Sequence, residues 1–251
     1  MKYGVMGRVG HEEEGDIQAT LSRLARAESQ GFDAVWVAAE DPKGGQAGRS
    51  LFAAVQLAER TDSVDIGLWS VLDPGLHPLR LAEDLAMLDI ISGGRLQWAP
   101  TGPGLEEPLA IILQAWRGEP FAHEGPRFGF PSLVCLPVPE QKPHPRLWLS
   151  PEDAQADEAR GGHAEAEHRG WWIDSEHGPE KPSVPGSRAV VFRMPVSMKG
   201  EPALIREAVE FLEHRYSPDL LLVWPDPEAL GSGDAEGLQN DFASACLGSG
   251  A

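Results

Sequence analysis

Cysteine is nearly absent from this sequence. Of 251 residues only Cys135 and Cys246 are cysteines, so no disulfide framework or cysteine-rich metal site can be built, and both are expected as reduced thiols. Positive charge is also scarce: 21 Lys and Arg stand against 39 Asp and Glu, a net charge of −18. Such a field repels nucleic acid and anionic membranes, leaving small molecules and proteins as partners. No apolar run approaches the roughly 20 residues that cross a bilayer, and Met1-Lys2-Tyr3 leads into a short strand without a secretory leader, so a cytoplasmic location is expected. A dinucleotide fingerprint is missing too. The glycines near the first strand give MGRVGHEEEG, whose acidic run would repel a pyrophosphate.

What is present is the composition of a globular protein, 41% hydrophobic and 24% charged, at a length suited to one domain over residues 1–251. YGVMG (3–7), AVWVAA (34–39), VDIGLWSV (64–71), RLQWAP (95–100), RLWLS (146–150), HRGWWIDS (168–175), AVVFRMPVS (189–197) and DLLLVWP (219–225) read as short, mostly apolar strands. Helical spacing is expected between them: over 15–30, ending near Gly31; over 50–61, capped by Ser50; across Leu81, Leu85, Leu88 and Ile91, with Pro78 in the first turn and Gly93-Gly94 past the end; over 105–117; and over 201–216. A proline-rich excursion occupies 123–145, and residues 151–188 are polar, with mobile flanks expected around the 168–175 strand. Eight strands alternating with helices suit a parallel α/β barrel, although a doubly wound sheet alternates in the same way.

Several residues bear chemistry. Glu40, beside Asp41 at the end of the second strand, is a candidate acid or base if burial raises its pKa; solvated loop carboxylates are the alternative. His77 is a candidate general acid or base, or else a turn histidine that starts the helix at Pro78. Arg80 and Arg95 bracket that helix and could instead pair with Asp89 or Glu83. Ser197, Lys199 and Gly200, ahead of a helix, form a candidate phosphate site. His163, His168 and His177 with Glu165 and Glu167 fit no ligand spacing, so no metal is expected. Trp69, Trp98, Trp148, Trp171, Trp172 and Trp224 all fall on strands, where they would wall a pocket or fill and partly plug a barrel.

The segment IGLWSVLDPGLHPLRLAEDLAMLDIISGGRLQWAPTGPG (66–104), with GFDAVWVAAE (31–40), ILQAWRGEPFAHEGPRF (112–128) and LPVPEQKPHPRLWLS (136–150), resembles the bacterial luciferase-like monooxygenase family. The resemblance implies a (β/α)8 TIM barrel, here shortened and with reduced insertions. It also implies a monooxygenase or oxidoreductase working at the carboxyl ends of the strands on a small-molecule substrate and O2. The cofactor implied is reduced FMN from a separate reductase, with a deazaflavin or no cofactor as alternatives. An unusual peptide, a non-proline cis bond, is implied at Ser70-Val71, and cofactor contacts at Ser70, Val71, Thr101, Gly102 and Ser150 join the Ser197, Lys199 and Gly200 loop. The alternative is a degenerate barrel serving as the partner subunit of an active homologue, or a flavin-binding protein without turnover. Association as a homodimer or heterodimer is implied through helices 50–60 and 77–91, with Ala53, Ala54, Leu57, Ala58, Leu81, Leu85 and Leu88 as the expected contact face.

Overall fold

A computed structural model describes residues 1–9, 17–39, 47–72, 75–151, 169–175, 187–225 and 232–248. Eight of its strands close on themselves: β1 (Lys2–Arg8), β2 (Ala34–Ala39), β3 (Asp65–Val71), β4 (Leu96–Thr101), β7 (Arg146–Leu149), β8 (Arg169–Asp174), β9 (Ser187–Met194) and β10 (Leu220–Pro225). All neighbours are parallel, and β10 returns to β1 to complete the ring. The barrel is therefore the architecture and the doubly wound sheet is excluded. The outer layer contains α1 (Ile17–Arg26), α2 (Ala47–Arg60), α3 (Pro78–Ile91), α4 (Glu106–Ala115) and α5 (Pro202–Tyr216).

Two elements go beyond the alternation. The proline-rich excursion contains an antiparallel hairpin, β5 (Phe121–Glu124) with β6 (Gly129–Leu133). Glu107 of α4 clips it: its carboxylate accepts from His123 Nε2 at 3.0 Å and from the backbone N–H groups of Arg127 and Phe128. The second is α6 (Ser232–Phe242), which runs into a wider turn over Ala243–Leu247. It packs beside α1, where Gln239 accepts from buried Arg23 at 2.7 Å, and Phe242 stacks on Phe32.

Period-2 alternation decides what fills the barrel. Met6, Trp36, Trp148, Val191, Leu222 and Trp224 face inward, with Trp69 and Trp172 packed on them. Two tryptophans are housed by glycines directly across the ladder. Trp36 pairs with Gly67 and Trp148 with Gly170, and a Cβ on either glycine would overlap the facing indole. Trp98 and Trp171 point the other way, into the layer under the helices.

The loops at the amino ends of the strands are held by polar side chains. Arg95 spends all five guanidinium N–H donors locally, on the carbonyls of Ala58, Thr61, Val64 and Ser92 and on Thr61 Oγ1, at 2.6 to 3.0 Å. Asp89, fully buried, accepts from the backbone N–H of Leu96 and Gln141 and from Gln141 Nε2, tying the excursion to α3. Arg80 pairs with Asp84, one turn along α3.

Three expectations are corrected. Ser50 does not cap α2: the helix already runs at Ala47, and Ser50 is buried within it. The peptide at Ser70-Val71 is not cis. Among the described residues the cis bonds are Leu136-Pro137 and Lys142-Pro143, while Ser70 and Val71 continue the regular ladder with Pro100 and Thr101. Finally, Ala53, Ala54, Leu57, Ala58, Leu81, Leu85 and Leu88 form no outward contact face, because their helices turn those stripes onto the barrel and bury them.

Candidate functional site

Barrels of parallel strands present chemistry at the carboxyl ends of the strands. Alternation places Arg8, Val71, Thr101, Ser150, Asp174 and Arg193 there, one step above the inward-facing core residues of their strands. The floor beneath them is aromatic. The rings of Trp69 and Trp172 lie 4.4 Å apart between centroids, and Trp69 meets Trp224 edge-on at 5.6 Å. The Arg193 guanidinium sits 4.7 Å over the Trp224 ring, and its Nε donates to Asp174 Oδ2 at 2.8 Å. Both partners are largely screened from water, with side chains 24% and 12% exposed, so their attraction is stronger than that of a surface pair. Among the described residues the buried Trp172 indole N–H has no hydrogen-bond partner, so one donor is left unspent at this level.

The rim is thus an indole platform bordered by two arginines and one carboxylate. Such a surface suits a planar heteroaromatic group: indole faces cover its apolar area, and N–H donors meet acceptors at its edge. Neither thiol adds a nucleophile, since burial pushes Cys135 up from its ordinary value and Cys246 up to about 11.

The residues singled out in the sequence are dispersed. Val71 and Thr101 reach the inner rim, and Thr101 Oγ1 donates to the Ser70 carbonyl at 3.4 Å. Gly102 follows with φ +119, a conformation that favours glycine. Ser150 closes β7 at the same level. Ser70 itself faces outward, is buried, and accepts from Trp98 Nε1 at 3.1 Å. His77 caps α3 by accepting from the Leu79 N–H, and its ring packs on Phe128 and Phe130 of the hairpin.

The loop of Ser197, Lys199 and Gly200 meets α6. Lys199 Nζ donates to Asp234 at 2.5 Å and the Gly200 N–H to Asp241 at 2.7 Å, so carboxylates of α6 already occupy those donors. Glu40 and Asp41 lie outside the described residues, as do His163, His168, His177, Glu165 and Glu167. Arg8, Asp174 and Arg193 were missed in the sequence. Their signal was a charged residue on the inward phase of an otherwise apolar strand, as in AVVFRM.

Comparison with known proteins now bears on this rim. Residues 1–99 match the family model described as luciferase-like monooxygenase. Over that segment the chain resembles luciferase-like monooxygenases. The oxygenase component of a flavin-dependent trigonelline monooxygenase from Acinetobacter baylyi is 32% identical over 123 residues, 41% of this chain and 34% of that protein. The alkanal monooxygenase alpha chain of Aliivibrio fischeri is 31% identical over 97 residues, 38% and 27% of the respective chains. The chain therefore spans only about a third of these relatives' lengths. Among solved structures, the monooxygenase RslO1 from Streptomyces bottropensis shares the fold with a TM-score of 0.73 at 18% identity, covering 98% of this chain and 99% of that one. The oxygenating constituent of 3,6-diketocamphane monooxygenase from Pseudomonas putida, solved in complex with FMN, gives 0.56 at 18% identity over 86% and 74%. Among the described residues no helix is long and apolar enough to cross a membrane.

Proposed function

We propose that this chain is a flavin-dependent monooxygenase component that takes reduced FMN from a separate reductase and acts with O2 on a small substrate. The observation that carries this reading is the Trp69, Trp172 and Trp224 floor beneath Arg193 and Arg8, at the carboxyl end of a luciferase-like barrel. A reduced flavin bound there would supply the electrons that activate O2. The chain's own contribution is placement. The indole faces support the ring and exclude water from beneath it, the Trp172 N–H donates to an edge acceptor, and Arg193 adds positive charge held in position by Asp174. Val71, Thr101, Gly102 and Ser150 border the ring, and Glu40, immediately after β2, is the proposed acid or base.

Lys199 and the Gly200 N–H, candidates with Ser197 for the phosphate, already donate to Asp234 and Asp241. That same observation favours the second reading, a barrel without turnover that partners an active homologue. Titration decides between them. Oxidised and reduced FMN and a deazaflavin are added to the purified chain while tryptophan fluorescence is followed, and oxygen uptake is then measured with a flavin reductase and NADH. Saturable quenching by FMN, weakened about tenfold or more in Trp172→Phe with Arg193→Gln, supports the enzyme, since charged and indole donors contribute roughly 1 to 3 kcal/mol each. Tighter binding of the deazaflavin would move the cofactor assignment; no quenching by any flavin would refute the binding platform and leave the partner-subunit reading.

Dimerisation through α2 and α3 is retained in the proposal, on different residues. Phe52, Met87, Ile90 and Ile91 are 71%, 45%, 40% and 40% exposed on these two adjoining helices. Phe52→Glu with Met87→Glu should shift the solution mass to that of a monomer, and an unchanged mass would place the interface elsewhere.

A further inference from the structure

The amino ends of barrel strands ordinarily serve stability, yet here they enclose an open cavity of about 390 Å3. It lies at the end opposite the tryptophan platform and is lined by Lys2, Gln97, Arg146, Trp148, Ser187 and Asp219, among others. Most of the wall is internally satisfied. Trp148 Nε1 donates to Gln97 Oε1 at 2.7 Å, Gln97 Nε2 donates to Asp65 Oδ2 at 2.7 Å, and Lys2 Nζ reaches the same carboxylate at 3.2 Å. Asp219 accepts from the Arg188 N–H at 2.8 Å.

Arg146 is the exception. Its guanidinium lies 4.9 Å over the Trp148 ring, fixed as a flat fork, but among the described residues it makes no side-chain hydrogen bond or ion pair, and its Nε is buried without a partner. Burial pushes its pKa down, with Asp219 and Asp65 opposing that fall from a distance. A half-buried guanidinium whose five donors are unused is costly unless an oxyanion meets it, and a planar carboxylate matches the fork.

We propose that this cavity binds a small monocarboxylate at Arg146, with a hydroxyl or amino donor of the same molecule turned towards Asp219. Charge sets the class. Among the lining side chains Lys2 is paired with Asp65, so Arg146 is the remaining cation and Asp219 the remaining anion; a single carboxylate carrying a nearby donor complements both, whereas a dianion meets Asp219 unfavourably. The volume suits a compact compound. This site is independent of the flavin reading, since no residue is shared with the rim.

Calorimetric titration with glycolate, acetate and inorganic phosphate tests it on the whole chain. Glycolate should bind saturably, more tightly than acetate, and phosphate least. Arg146→Met, which keeps the stem over Trp148, should weaken glycolate at least tenfold, and Asp219→Asn should narrow the gap between glycolate and acetate. The same Arg146→Met chain without ligand should unfold at the same temperature as the parent or higher, because it removes an unpaired cation. Glycolate binding unaffected by Arg146→Met, no binding by any of the three anions, phosphate binding more tightly than the carboxylates, or a marked loss of stability in unliganded Arg146→Met would each overturn the proposal. Loss of this site with FMN binding intact leaves the rim reading untouched, and the converse holds.

Discussion

Arg95→Met offers a demanding test of how the barrel is held. The guanidinium joins the end of α2, the turn into β3 and the end of α3 through five donors to four carbonyls and one hydroxyl. Counted singly, hydrogen bonds from a charged group at roughly 1.5 to 3 kcal/mol each would sum to about 8 to 15 kcal/mol, as much as the entire stability of an ordinary domain. The donors belong to one group, and Arg95 is only partly buried, so water can reach some of the abandoned carbonyls. The expected loss is therefore about 3 to 5 kcal/mol, comparable with removing one partner of a buried pair. At this chain length that corresponds to a fall in Tm of roughly 10 °C. Urea unfolding followed by tryptophan fluorescence and circular dichroism measures it, with Arg95→Lys as a control that keeps charge but loses the fork and should recover less than half. A loss below about 1 kcal/mol in Arg95→Met would refute the clamp. FMN affinity of the folded variant should be unchanged, since Arg95 precedes β4 at the end remote from the tryptophan platform.

Two further outcomes follow from the interior and the hairpin. Gly67→Ala sets a methyl group against the Trp36 ring, and Trp36 is 1% exposed, so destabilisation of about 1 to 3 kcal/mol is expected by denaturant titration. An unchanged midpoint would mean the indole yields more readily than its packing implies. For Glu107, burial alone would raise the pKa, but the His123 hydrogen bond and the Phe128 and Arg127 N–H groups hold it below the ordinary value. The folded-state value lies below the unfolded one, so its contribution is present above the unfolded carboxylate pKa of about 4.3 and is lost as pH falls through the depressed value. Glu107→Gln should therefore narrow the difference in urea midpoint between about pH 6 and pH 3.5; an unaltered difference would show that the hairpin clip does not titrate there.

The eight barrel strands were legible because parallel strands covered on both faces read as continuous apolar runs, which AVWVAA and DLLLVWP display plainly. The hairpin at Phe121–Leu133 was not, because FAHE and GFPSL carry prolines and polar residues in an exposed ribbon held by Glu107 and not by a strong strand pattern. The last helix escaped for a related reason: SGDAEGLQNDF has few apolar positions, and its attachment depends on single residues such as Gln239 and Phe242 meeting partners over 200 residues earlier. Without α6 the Ser197, Lys199 and Gly200 loop reads as an open anion cradle, whereas Asp234 and Asp241 already accept from Lys199 and the Gly200 N–H.

The tryptophans show most clearly what one-dimensional pattern withholds. Trp171 and Trp172 are neighbours and necessarily face opposite sides of β8, but which one enters the barrel depends on register. Pairing Trp172 with Ala189 and Trp148 with Gly170 resolves it. The lower barrel is then filled by Trp36 and Trp148 lodged against glycines, and the upper indoles cannot sink further. Trp69, Trp172 and Trp224 are consequently held at the rim, where the same rigidity that plugs the interior supplies a fixed aromatic surface for a planar ring.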